Sequence, residues 1–370
     1  MRIEAITLRK LRMRLRAPFQ ASFGVITERV VVLVEAASDG VSGWGEVTAT
    51  PEPVFTYESA ATASLVIRDY LVPRILGRSL RCAAEVSHYF SEIRGHEMAR
   101  AGIENAIWDI EAQQRGLPLA TLIGGTRSEI ACGVSIGIQA SPDALVDRVR
   151  EEVEAGYQRI KIKIRPGQDF EYLHAVRRAF PNIVLSVDAN SAYTLDDAEH
   201  LKRFDEYNLL MIEQPLWWDD IHWHGKLARL IKTPICLDEP IRHARDVQTA
   251  IDLGAAGVIN IKLGRVGGHS GAREIQAFCL ANKVHAWCGG MLESGIGRVH
   301  NIAVSSLAGY TLPGDVSASR RYWDEDLVEP AVEVTPRGTI PVPTAPGLGY
   351  RVRSEFIERF TLEKETWRAH

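Results

Sequence analysis

Five charged residues recur along the middle of the chain at an almost fixed interval. They are Lys163, Asp188, Glu213, Asp238 and Lys262, separated by 25, 25, 25 and 24 residues. Each closes or follows a short apolar run, such as Leu210-Met211-Ile212 before Glu213 and Ile235-Cys236-Leu237 before Asp238. Three carboxylates are costly to gather unless they act together, and set between lysines they could hold one cation between two bases. A donor set of oxygens without His or Cys suits Mg²⁺ better than Zn²⁺, with Mn²⁺ or another divalent cation as a substitute. Lys161 stands two residues before Lys163, and side chains alternate along a strand, so both ammonium groups point the same way. Like charges this close are expected to lower a pKa and make a neutral amine available as a base. Arg265, three residues beyond Lys262, is expected to act on that lysine in the same way.

The elements that must position these residues follow from the interval itself. One strand and one helix per charge produce such a period, and in a barrel of such units the C-terminal strand ends converge on one mouth. The strands are expected at Cys132–Ile138, Arg159–Ile164, Val184–Asp188, Leu209–Glu213, Ile235–Asp238, Val258–Lys262 and Ala286–Cys288, with Tyr310–Asp315 a weak eighth. The intervening helices have legible ends: Ser141-Pro142 opens one that Gly156 closes, and Thr194 with Asp197 is a capping-box start. Upstream of about Ala131 the pattern differs. Val30–Glu35, the turn Asp39-Gly40 and Val41–Val47 read as a β-hairpin. Helices follow at Glu58–Gly77, where Pro73 is expected to bend or break the run, and at Met98–Gly116. The expected fold is α/β, a barrel preceded by an α+β module.

The chain has 370 residues, enough for a barrel of about 250 plus a second module. A formal charge of −4 displays no basic face for nucleic acid or an anionic membrane surface. No apolar run reaches the ~18 residues that span a bilayer. The five cysteines are scattered without a Cys-x-x-Cys pair, which argues for a reducing compartment. A cytoplasmic protein acting on a small molecule is expected. Gly264-Arg265-Val266-Gly267-Gly268 lacks the spacing of a phosphate loop and reads as a tight turn after a strand.

Taken together, Lys161-x-Lys163, Asp188-x-Asn190, Glu213-Gln214-Pro215, Asp238-Glu239 and Asn260-Ile261-Lys262 resemble the enolase superfamily, in its muconate-lactonizing subgroup. Within it, Lys262–Gly268, Trp287–Gly295 and Leu312–Ser319 resemble the N-succinylamino acid racemase/o-succinylbenzoate synthase family. The resemblance covers essentially the whole chain. It implies a (β/α)₇β TIM-like barrel over residues 126–320, a capping domain over 1–125, and a return of 321–370 to the cap. It further implies Asp188, Glu213 and Asp238 as Mg²⁺ ligands, Lys163 and Lys262 as acid/bases with Lys161 beside the first, and Asn190 and Glu239 behind the ligands. Ser135, Gly290, Met291 and Leu292 would line the substrate pocket, closed by Phe19 and Thr50 of the cap. Members remove a proton α to a carboxylate through an enediolate. Two lysines would racemise N-succinylamino acids, whereas one suffices for the syn-dehydration that yields o-succinylbenzoate in menaquinone biosynthesis. A homo-oligomer is implied as well. Dipeptide epimerisation and muconate cycloisomerisation are further alternatives, as is a non-catalytic protein that kept the fold. Gly314-Asp315-Val316-Ser317 lacks the Asp-x-Asp of the epimerases. Trp217-Trp218-Asp219-Asp220 and Pro240 depart from the family pattern without touching a ligand.

Overall fold

The β-branched run at Val30–Val34 lies within an antiparallel sheet of β1 (Ala5–Ala21), β2 (Gly24–Ser38) and β3 (Val41–Val47). This is seen in a computed structural model that describes residues 1–21 and 24–369. Asp39 and Gly40 turn β2 into β3 with φ of 51° and 77°, the pair of positive values a two-residue hairpin turn requires. The helix Glu97–Gln114 packs across β3, and the two approach most closely where side chains are absent. A Cβ on Gly45 would lie 2.1 Å from the Gly102 carbonyl oxygen, and one on Gly43 2.1 Å from that of Ala106. Pro73 does not end the preceding helical run. Helix Ala60–Val66 continues through a widened π turn, Ile67–Leu71, into Val72–Ile75, so Pro73 falls in the opening turn of the last piece, where its missing N–H is tolerated.

After β4 (Glu129–Ala131) come seven parallel strands, all where the sequence places them, four of them one residue shorter, two three residues shorter and the last one residue longer. They are β5 (Gly133–Ile136), β6 (Arg159–Lys163), β7 (Leu185–Asp188), β8 (Ile212–Glu213), β9 (Ile235–Leu237), β10 (Val258–Ile261) and β11 (His285–Cys288). They pair in consecutive order, β5 to β11. The eighth segment is not a regular strand, and Pro313 within it has no N–H for a ladder. It nevertheless bridges the two edges: Gly133 N donates to Gly314 O at 2.6 Å, and Asp315 N donates to Cys288 O at 2.8 Å. In β6 the isoleucines and the lysines point to opposite sides, as alternation requires. Ile160, Ile162 and Ile164 join the apolar core, while Lys161 and Lys163 reach the barrel interior.

The tail adds β12 (Val328–Glu329) paired with β14 (Arg351–Val352), and β13 (Thr339–Pro341) paired with β4. It then returns as β15 (Thr361–Arg368), antiparallel to β1 with Ala5 opposite Arg368. No helix among the described residues is long and apolar enough to cross a membrane.

The glycine contact yields a stability prediction. Gly45→Ala should cost about 2 kcal/mol or more, because backbone on both sides leaves nothing to yield. A urea titration should show a lower midpoint with unchanged slope.

Candidate active site

Parallel pairing puts the charged strand ends side by side. Lys163 is level with Asp188 and Asp188 with Glu213, from β6 to β8. Asp238 ends the next strand, one residue past Leu237, and Lys262 follows β10. Glu213 and Asp238 are wholly buried and Asp188 nearly so, so each needs a partner, and lysine or arginine supplies it. Lys163 Nζ donates to Asp188 Oδ2 at 2.6 Å and to Asn190 Oδ1 at 2.5 Å. Lys161 Nζ lies 2.8 Å from Glu213 Oε2, 2.8 Å from Asp315 Oδ2 and 3.3 Å from Asp188 Oδ2. Lys262 Nζ donates to Asp238 Oδ2 at 2.7 Å, while Arg265 takes the other oxygen. Arg265 is fixed by the carbonyls of Ile241 and Asn260.

The electrostatics correct one expectation. The neighbouring lysine does not lower the pKa of Lys161. Burial pulls its pKa down, but Asp315, Glu213 and Asp188 outweigh burial and hold it well above the usual lysine value. The sequence shows only the neighbouring Lys163, whereas the deciding carboxylates come from other strands. Burial likewise opposes ionisation of Asp188 and Asp238, yet Lys163 with Lys161, and Lys262 with Arg265, hold them below the usual range. Asp315 is held at about 2 against burial by Lys161 and Arg159. Two acids go the other way. Burial and the charge of Asp188 raise Glu213 to about 7, since Lys161 is shared among three carboxylates. Burial and Asp238 raise Glu239 to about 8. Asn190, at φ 42°, donates to Glu239 Oε1 at 3.3 Å.

These residues floor one cavity. Its lining joins Lys161, Lys163, Lys262 and Asn190 to Ser135, Gly290, Met291 and Leu292, and Phe19 and Thr50 of the cap also reach it. Every residue expected to meet substrate therefore lines the same space, with Asp188, Glu213, Asp238, Glu239 and Arg265 behind the lysines. Sequence reasoning missed other residues of that wall. Asp315 lies in a stretch quoted for resemblance but without a role, and Phe55 and Arg29 belong to cap segments whose spacing carries no signal.

Among the described residues no three His, Cys, Asp or Glu side chains form a ready cluster, because the three carboxylates are turned to lysine and arginine partners. The chemistry nonetheless fits a hard cation. Only oxygen donors are offered, Glu239 Oε2 is buried without a hydrogen-bond partner, and Glu213 and Glu239 are under-compensated.

The chain is similar along nearly its whole length to known proteins. Residues 2–124 match the mandelate racemase/muconate lactonizing enzyme N-terminal domain, and residues 144–356 match the enolase C-terminal domain-like family. The chain is 49% identical to an o-succinylbenzoate synthase of Geobacillus kaustophilus, over 97% of this chain and 96% of the relative. It is 44% identical to an N-succinylamino acid racemase of Thermus thermophilus, over 98% of each. A crystal structure of an enolase-superfamily member from Listeria innocua superposes with a TM-score of 0.96 at 40% identity, covering 100% of this chain and 99% of that one.

The raised acids set a pH dependence. With its pKa lifted from 4.5 to about 7, Glu213 carries a proton below pH 7 that a divalent cation must displace. Mg²⁺ or Mn²⁺ affinity is therefore expected to rise from pH 6 to pH 8 by about tenfold, the direction for an acid whose pKa is raised. Titration calorimetry at the two pH values, with proton release read from buffers of different ionisation heat, checks it.

Proposed function

The chain belongs to the enolase superfamily, in the muconate-lactonizing subgroup with the N-succinylamino acid racemases and o-succinylbenzoate synthases, and from that premise we propose that it racemises N-succinylamino acids by moving the α-proton between Lys163 and Lys262. The observation that carries the proposal is that both lysines open into one cavity, each beside its own carboxylate, Asp188 and Asp238. Asp188, Glu213 and Asp238 would hold Mg²⁺, or Mn²⁺ in its place, which when bound stabilises negative charge developing on the substrate carboxylate. Lys161, kept charged by Asp315 and its neighbours, would draw that carboxylate to the floor. Lys163 as the free amine takes the α-proton: the C–H bond breaks, its electron pair stays on the substrate as the enediolate, and Lys163 becomes an ammonium. Lys262, as an ammonium on the other side, returns a proton to the opposite face. Asn190 accepts from Lys163 and orients it. Arg265 competes with Lys262 for Asp238, which loosens the hold of that carboxylate on the lysine. Ser135, whose Oγ is buried without a partner, and Met291 and Leu292 would meet the acyl group and side chain beneath Phe19 and Thr50.

The second reading is o-succinylbenzoate synthesis, in which Lys163 alone moves protons and Lys262 stays a cation. The close contact of Lys262 with Asp238 favours it, and relatives carry both names. Epimerisation of dipeptides gains no support, because Asp315 is already paired with Lys161 and Arg159 and offers no free charge to a substrate amine. Relatives named as enzymes along nearly their whole length set aside the non-catalytic alternative.

The test follows α-proton exchange in D₂O by NMR, with Mg²⁺ and each enantiomer of an N-succinylamino acid. Both enantiomers should exchange, Lys163→Ala abolishing exchange of one and Lys262→Ala that of the other. Absence of exchange, together with efficient dehydration to o-succinylbenzoate, would transfer the protein to the second reading.

A further inference from the structure

Residues 51–57 of the cap form a loop with an anchored base. At its start, Ala60 N donates to Thr50 O at 2.8 Å. At its end, buried Glu58 accepts from Met98 N and Ala99 N at 2.8 and 3.0 Å, which ties it to the first turn of the long cap helix. The Tyr57 hydroxyl donates to Glu97 in the same turn. Between these anchors Val54 is 49% exposed, yet Phe55 turns inward and is only 7% exposed. Its ring centre lies 4.1 Å from Lys262 Nζ. Lys262 thus sits between Asp238 on one side and an aromatic face on the other, with the cavity as its remaining outlook. Lys163 has Asp188 and Asn190 instead, two oxygen partners. The two lysines are therefore steered by different means, one from the barrel alone and one with help from the cap.

We propose that Phe55 is a positioning residue for Lys262, its ring holding the ammonium of a four-carbon flexible stem over the face of the substrate opposite Lys163. The inference rests on the two-lysine reading above and deepens it: the cap, through this one contact, would set how well the second face exchanges. A desolvated ammonium–ring contact is worth up to about thirtyfold in an equilibrium, and misplacing a reacting group by about 1 Å can cost about a hundredfold in rate.

Two measurements test it. In the D₂O assay, Phe55→Leu should slow exchange of the enantiomer that depends on Lys262 by about tenfold and leave the other within about twofold. Phe55→Tyr, which keeps the ring, should restore the wild-type ratio. Equal loss for both enantiomers, or no loss for either, overturns the proposal. The second measurement needs no substrate. Backbone amide hydrogen exchange over residues 51–57 should quicken in Lys262→Ala and stay unchanged in Lys163→Ala, and a loop indifferent to Lys262 overturns the proposal as well. A wild-type protein that exchanges neither enantiomer would sink the racemase reading, and the loop measurement would then decide the role of Phe55 by itself.

Discussion

Buried charge is the constraint on which the rest of this molecule depends. Asp188, Glu213, Asp238, Glu239 and Asp315 share the barrel interior with Arg159, Lys161, Lys163, Lys262 and Arg265, and nearly all are excluded from water. Formally the two sets cancel, and uncompensated burial of even one would be expensive. The cancellation is uneven in space. Lys262 and Arg265 both sit on Asp238, and Arg159 and Lys161 both reach Asp315. What remains is a pair of under-compensated acids, Glu213 and Glu239, whose pKa values are raised first by burial and then by the charges of Asp188 and Asp238. Acids that can release a proton to an arriving cation, beside ammonium groups, let one site take a cation and an anionic substrate together.

The barrel part of this was legible in the sequence for a geometric reason. A strand and its return helix need a nearly constant length, so residues at equivalent strand ends recur at a constant interval, and Lys163 through Lys262 kept it. The alternation of Lys161 and Lys163 with isoleucines gave their side of the strand directly. Legibility stopped where a contact is made only by folding. Asp315 ends a segment that Pro313 keeps from being a regular strand, and its partners are 154 to 156 residues away. Proximity of two lysines is likewise not enough to give the direction for Lys161, because Asp315, Glu213 and Asp188, distant in sequence, outweigh its burial. Phe55 and Arg29 lie in cap segments with no period at all.

The cap can act on the barrel only if it is held in place, and the means are again carboxylates. Glu46 of β3 accepts from Ser294 Oγ at 2.6 Å and from the amides of Ser294 and Gly297, at the start of the barrel helix Gly295–Ser305. Glu104 of the long cap helix accepts from the amides of His269 and Ser270 at 2.6 and 2.9 Å, at the start of His269–Ala281. Both helix starts therefore receive an acid from the other module, satisfying amides that have no partner within their own helix. Burial raises Glu46 to about 7, so this fastening also works against desolvation.

A division of labour follows from that fastening. On the function proposed above, the barrel would carry the chemistry, because its strand ends impose the spacing that three carboxylates and two lysines require. The cap would then carry selection, because Phe19 at the end of β1, together with Thr50 and Phe55, reaches the cavity from segments that the barrel period does not constrain. Racemisation and syn-dehydration need the same floor and differ in what Lys262 must do. The difference between them is therefore to be sought above the floor, in whatever sets the freedom of that one ammonium group. Asp238 limits it from the barrel, Arg265 eases that hold by taking the other carboxylate oxygen, and the ring of Phe55 limits it from the cap.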